Sequence, residues 1–554
     1  MNATAQPKLR VHDKRVKISV FAEHPQIVTP TGIAVTSKGD VLVVECHTHF
    51  PPPNTLLGIA NKDKDVRVRA MAIRFGRPDA SDLRKFAKAN QPGLVRAAAL
   101  RRMAEKKYSA ELMKAAGDPD PYIRQAARRS ILLAKLDVRT LFSSATTAQR
   151  ESATLIVRAR GSVRELPSIL SDRSEVVRQI AIQWIGESRL GQHRQTVERE
   201  LSQASSRLLF ESCLASLELL SGSRRSGSKD EWDGRQYAFN LMNRPDTSER
   251  VQVQILRTLG SNYPGLTVAR LAGMLNKARD PQLQLELVKS LRGIESASAR
   301  NNELLRIAQD NKYSIRVRAE SLVGYQVRDS QDLKRIVQLA VSAADQDVAL
   351  EALRSMRFSG KDRKAAPILE ALKKASPKRS KQWQALANRV LDVTSKTTYS
   401  PSVVQVLEKL NERPGNHKVG ARIFFNKQIG RCSTCHESRG RGGRIGPDLT
   451  QIGRTMTQRR LVESILYPSR EIAPRYVPWT VVREDGRTFS GMYLGHDNKD
   501  RHSYADTNGK VQQIPIREIA RRLPMKKSIM PDGLIANLTL QEFRDLLAYL
   551  RASQ

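Results

Sequence analysis

Residues Asp118-Pro119-Asp120-Pro121-Tyr122-Ile123-Arg124-Gln125-Ala126-Ala127 decide how most of this chain is read. Asp-Pro ends one helix and starts the next, because proline fits the first helical turn. The hydrophobic-Arg pair and the small alanines that follow let neighbouring helices approach closely. Copies of this cassette occur on both sides. Upstream lie Asp65-Val66-Arg67-Val68-Arg69-Ala70-Met71-Ala72 and Leu94-Val95-Arg96-Ala97-Ala98-Ala99-Leu100; downstream lies Glu175-Val176-Val177-Arg178-Gln179-Ile180-Ala181. Weaker copies follow near Arg250, Asp280, Ser314 and Asp345, about 27–34 residues apart with gaps, the mark of stacked helical repeats.

These cassettes resemble a HEAT-type α-solenoid over residues 57–375. Residues 1–56 read instead as β structure. Val16–Val20 alternates, and Gly32–Val35 and Val41–Glu45 flank the turn Ser37–Asp40, with Pro51-Pro52-Pro53 as a stop. Residues 376–400 are basic, rich in Ser and Thr, and carry one helix-like piece over 382–393. They read as a hinge before a C-terminal domain at 401–554. The expected fold class is therefore mainly α, with a small β insertion at about 476–522 and a short N-terminal β segment.

Lys and Arg number 94 against 56 Asp and Glu in 554 residues, a formal charge of +38. Residues 401–554 hold roughly +11 of it and residues 1–400 roughly +27, so the charge is spread evenly. A dedicated nucleic-acid module concentrates its charge, so nucleic acid is not the expected partner. A diffuse basic field favours acidic partners or an anionic surface. Four cysteines rule out a disulfide-built scaffold. The absence of an 18-residue apolar run argues against a transmembrane segment. Residues 1–21 are polar and basic, with no apolar core of a signal peptide.

The chemistry is expected at Cys432-Ser433-Thr434-Cys435-His436. Cys-x-x-Cys-His is the attachment signature of c-type haem. Two thiols one helical turn apart reach the two vinyl groups on one porphyrin edge, and the adjoining imidazole faces the iron. Zinc would need further ligands at zinc-finger spacing, and a thioredoxin-like pair would need a βαβ context. The identity of a sixth ligand would separate electron transfer from gas or peroxide chemistry. Of the other cysteines, Cys213 reads as a buried small hydrophobe, and Cys46 with His47 and His49 as strand-end residues.

Motifs flank the pentapeptide on both sides. Gly420 and Phe424 share a helix face upstream. Downstream come Gly446-Pro447-Asp448-Leu449, a Met-Pro pair at Met530-Pro531, and a terminal amphipathic helix over Leu540–Leu550 capped by Thr539 and Glu542. In this order they resemble class I cytochromes c. More closely, residues 418–554, with Leu461–Ile472, resemble the haem-binding domain of planctomycete and verrucomicrobial envelope proteins.

The resemblance implies one covalent haem c per chain, held by Cys432 and Cys435. His436 and Met530 would be the iron ligands, and the Pro447 carbonyl would orient the His436 ring. It also implies a terminal helix that crosses the helix carrying Gly420. Met525 is the nearby alternative sulfur, with Met456 and Met492 less well placed. Met530 lies 94 positions after His436, because the β insertion intervenes. In those relatives a dehydrogenase-type propeller precedes HEAT repeats. Residues 25–53 look like its opening, so 1–56 read as a propeller remnant and no oxidoreductase site carries over.

The expected function is thus electron transfer rather than enzymatic turnover. The redox partner would be acidic, protein contacts would run through the solenoid, and the location would be the periplasm or cell envelope. A chain processed or started elsewhere would account for the missing leader. The alternative is a basic solenoid scaffold that binds acidic proteins or polyanions without redox function.

Overall fold

In the computed structural model the residues described are 30–35, 41–45, 53–222, 234–261, 263–294, 297–392, 394, 396–399, 402–497 and 500–552. They are mainly helical, with a small antiparallel sheet near the C-terminal end. Two units are distinguished, residues 1–184 and residues 185–554.

In the first unit, Pro30–Val35 pairs antiparallel with Val41–Glu45. The strand expected at 16–20, and Cys46, His47 and His49, lie outside the described residues. The cassettes become helices for the expected reasons. Asp65 and Asp120 cap Val66–Phe75 and Pro121–Ala134 through their side chains, with Pro121 in the first turn. Val66–Phe75, Gly93–Glu105, Pro121–Ala134 and Thr147–Ala159 then pack in series, burying Val95, Ala99, Ile123, Ala127, Ala153 and Ile156.

The structure also explains the cassette arginine, whose purpose the pattern did not reveal. Arg96 pairs with Asp118, and Arg150 with Asp172 at 2.7 Å, each reaching the turn 22 residues ahead. These two arginines therefore staple one repeat to the next, whereas Arg124 donates back to the Asp118 and Pro119 carbonyls of its own turn (2.8 and 3.1 Å).

The second unit has a packed series of its own through Arg207–Leu220, Glu249–Leu259, Pro281–Arg292, Ile315–Ser321, Gln346–Ser355 and Lys381–Leu391. The described residues of the stretch 376–400, expected as a hinge, are packed along with it. Ser380 caps the last of these helices, Trp383 is buried and donates to the Ala340 carbonyl (3.0 Å), and Thr397 N–H donates to Ala536 (2.9 Å). An amphipathic helix with a buried tryptophan docks rather than swings.

Beyond it, His417–Phe425 and the terminal helix Leu540–Arg551 cross at Gly420, with Phe424 and Tyr549 rings 5.4 Å apart. A Cβ on Gly420 would overlap the Asp545 carbonyl oxygen. Both colliding groups belong to helix backbones and cannot give locally. Gly420→Ala is therefore expected to cost about 3 kcal/mol, the upper range of overpacking, measured by urea unfolding.

The insertion is a five-stranded antiparallel sheet. Its order is Val511–Pro515, Arg501–Ala505, Thr488–His496, Trp479–Arg483, Ile519–Pro524. Two of these strands, Arg501–Ala505 and Ile519–Pro524, were not expected. Arg522 on the last one lies over the Trp479 and Tyr493 rings at 4.5 and 4.7 Å. No helix among the described residues is long and apolar enough to cross a membrane.

Candidate functional site

The helix Cys432–Cys435 is a single turn, entered through Arg431 at φ +57° and closed by His436 N–H donating to Cys432 (2.9 Å). Segment 443–449 wraps against this turn mainly by backbone bonds, with Arg444 also donating to Glu437 Oε2 (2.7 Å). Gly443 donates to Ser433 (2.9 Å), Ile445 and Gly446 donate to Cys435 (3.0 and 2.8 Å), and Leu449 donates to Glu437 (2.8 Å). That wrapping delivers the Pro447 carbonyl to His436 Nδ1 at 2.9 Å. A carbonyl only accepts, so Nδ1 carries the proton and Nε2 keeps its lone pair.

Gly446 stands over the ring. A Cβ there would come within 2.6 Å of His436 Cε1, so any side chain would push the imidazole aside.

Cys432, Cys435, His436, Pro447 and Met530 all line one cavity of about 280 Å³, walled mainly by apolar side chains such as Phe424, Leu449, Ile465, Ile535 and Leu546. Burial sets the protonation of its polar groups. It pushes the Cys432 thiol up to about 12 and raises that of Cys435, although Arg431 opposes the second shift. It lowers His436, against the Pro447 hydrogen bond. Thiols and imidazole are therefore neutral around pH 7. The two cysteines form no disulfide.

Met530 reaches the cavity from a turn in which its N–H donates to Ser528 Oγ (3.1 Å). Ser528 N–H in turn donates to Ser469 Oγ (3.1 Å). Of the other sulfurs, Met456 also lines the cavity, whereas Met525 and Met492 do not; Met492 packs beside Ile445 and Ala505. Cys213 is buried. Among the described residues no group of three or more His, Cys, Asp or Glu is placed to hold a metal ion.

The Gly- and Arg-rich loop at residues 439–444, which follows the turn, is tied to the repeat helices. Arg441 donates to Glu286 Oε2 (2.9 Å) and Ser290 Oγ (3.2 Å). This contact belongs to an ion network that sequence reading missed. Glu286, Glu320 and Glu351 each stand six residues after the capping residue of their helix, and each is buried. Arg257 (3.1 Å), Lys289 (3.0 Å) and Arg441 share Glu286. Arg292 meets Glu320 at 2.7 Å, Arg422 meets Glu351 at 2.7 Å, and Glu542 takes Arg354 and Arg357 at 2.9 and 2.8 Å. Burial raises the Glu286 and Glu320 carboxyls, but the cations around them win and hold both below the ordinary range. A glutamate recurring at one helical position in three successive cassettes was the available signal.

No family model matches the chain, and no curated protein does. Among the solved structures it resembles are two described as engineered proteins. The first is 16% identical over 62% of this chain and 98% of its own, with a TM-score of 0.27. The second is 13% identical over 61% and 94%, with a TM-score of 0.10. Superpositions this loose carry no argument about what the cavity does.

Proposed function

We propose that the chain is a c-type cytochrome whose single covalent haem is carried beside a HEAT-type helical scaffold and serves electron transfer. The observation that carries the reading is the His436–Pro447 hydrogen bond on the wall of an apolar cavity that also presents both thiols and Met530. The donor set fits the group: two neutral thiols one helical turn apart, an imidazole with a free Nε2 lone pair, and a thioether. Cys432 and Cys435 would form the thioether links, and His436 and Met530 would hold the iron. Bound in this way, the haem supplies a one-electron couple.

The chain's own residues do the rest. Pro447 fixes the tautomer and orientation of His436, and Gly446 leaves room for the ring. The apolar walls exclude water. The diffuse basic surface would attract an acidic redox partner, and covalent haem attachment would place the protein in the periplasm or cell envelope.

Met530→Ala tests the axial assignment. In the haem-loaded protein it is expected to replace a low-spin spectrum with a high-spin one and to admit carbon monoxide to the reduced form. An unchanged ligand field would move the assignment to Met456. Carbon monoxide binding to the unmutated reduced protein would favour a haem enzyme with an open site instead.

Gly446→Ala is expected to lower haem retention severalfold, because the added methyl displaces the His436 ring. Retention is read by absorbance after denaturing extraction.

A further inference from the structure

A second cavity, of about 790 Å³, lies between the repeat helices around residues 257–324 and the loop that follows the Cys-x-x-Cys-His turn. We propose that this chamber binds a small multivalent oxyanion carrying phosphate or carboxylate groups. Eight Lys and Arg side chains line it, and no carboxylate does among the described residues.

The buried glutamates behind the wall do not cancel this charge. Arg257, Lys289 and Arg441 share the single carboxylate of Glu286, which leaves two positive charges in excess. Arg292 is balanced by Glu320. Arg300 is held by neutral acceptors, the Ile294 carbonyl (2.7 Å) and Asn301 Oδ1 (3.2 Å), and Arg431 by Asn508 Oδ1 (3.0 Å).

Like charges gathered in this way repel one another. Burial, with Arg441 beside it, pushes the Arg292 guanidinium below its ordinary value although Glu320 opposes, and burial with Arg328 does the same for Arg300. A bound polyanion supplies the compensating charge that the lining lacks.

The shape selects the size of the ligand. The volume falls in the range of small-molecule sites. Guanidinium forks pre-aligned by their own partners suit bidentate phosphate or carboxylate groups. Phe425 is the one aromatic on the lining among the described residues. Nucleic-acid grooves stack successive bases on several aromatics, so an extended polynucleotide fits poorly.

The test is calorimetry on the full-length protein with inorganic pyrophosphate and with citrate, at low and high salt. Saturable one-to-one binding that weakens with salt is expected for at least one of them. Pyrophosphate alone would mark a phosphate ligand, and citrate alone a carboxylate. The double variant Arg300→Gln with Lys427→Gln is expected to bind about tenfold more weakly, whereas Lys374→Gln, exposed and outside the chamber, leaves binding within about twofold. Should the double variant unfold, protection of Arg300 from phenylglyoxal by the same probes in the unmutated protein gives an independent readout. Absence of saturable binding, unchanged affinity in a folded double variant, or absence of Arg300 protection overturns the proposal. So does tight binding of a single-stranded oligonucleotide that pyrophosphate and citrate fail to displace.

Discussion

Glu542→Gln is expected to destabilise the second unit by about 3–5 kcal/mol near neutral pH, among the largest effects of any single substitution in the chain. The residue is 1% exposed and carries three duties. Its carboxylate takes Arg354 Nε at 2.9 Å and Arg357 Nη2 at 2.8 Å, and its Oε2 accepts from Thr539 N–H at 2.9 Å to complete the capping box. Removing the charge leaves two buried guanidiniums facing a neutral amide.

The effect has a pH signature. Burial raises the Glu542 carboxyl, but Arg357 and Arg354 outweigh it and hold it at about 2, below its ordinary 4.5. A depressed carboxyl stabilises the fold fully above the unfolded value. That contribution is lost as pH falls from about 4.5 toward 2. Urea midpoints of the unmutated protein and Glu542→Gln should therefore differ most near pH 7 and converge through that window. A constant gap down to pH 2 would show that shape, rather than charge, is what the substitution removes.

The second large effect concerns the thiols. Expressed behind a secretion signal with haem-attachment machinery, the unmutated chain is expected to keep its haem through acid extraction. The Cys432→Ala, Cys435→Ala double variant is expected to lose all of it, each single variant keeping one thioether. The double variant should still fold, since it truncates two small side chains in one short turn, and circular dichroism checks this. Haem lost equally by the unmutated chain under these conditions would end the c-type reading.

Local signals carried much of the fold. The Asp-Pro caps, the alanine spacing and the Thr539–Glu542 box each settle a helix end by chemistry confined to a few neighbours. The Cys-x-x-Cys-His turn was legible for the same reason, Pro447 and Met530 only through the family resemblance, and the structure brings all five residues to one cavity.

What was illegible depends on partners far along the chain. Strand Arg501–Ala505 carries an arginine and a histidine, and its inward face is set by Tyr504, buried beside Val481 and Ile514. Strand Ile519–Pro524 offers two arginines, and only aromatic rings from other strands explain Arg522. The stretch 376–400 looked like a hinge because its composition is polar, yet Trp383, Leu386 and Val390 bury one face of the helix it carries. The buried glutamates were hidden because most of their cations lie 28 to 188 residues away, Lys289 and the Arg354 that also meets Glu351 being the near ones.

Those separations have a consequence for how the second unit is made. Glu286 and Glu351 leave the ribosome well before Arg441 and Arg422, and Arg354 and Arg357 well before Glu542. The helical pairs therefore assemble first, with their carboxylates and guanidiniums still wet. Closing the chain onto them demands long loops and arrives late, as non-local pairings do. The Cys-x-x-Cys-His turn sits inside that late-closing portion. Its thiols are therefore not walled in until that portion closes, which leaves an interval for covalent modification before the ion network locks.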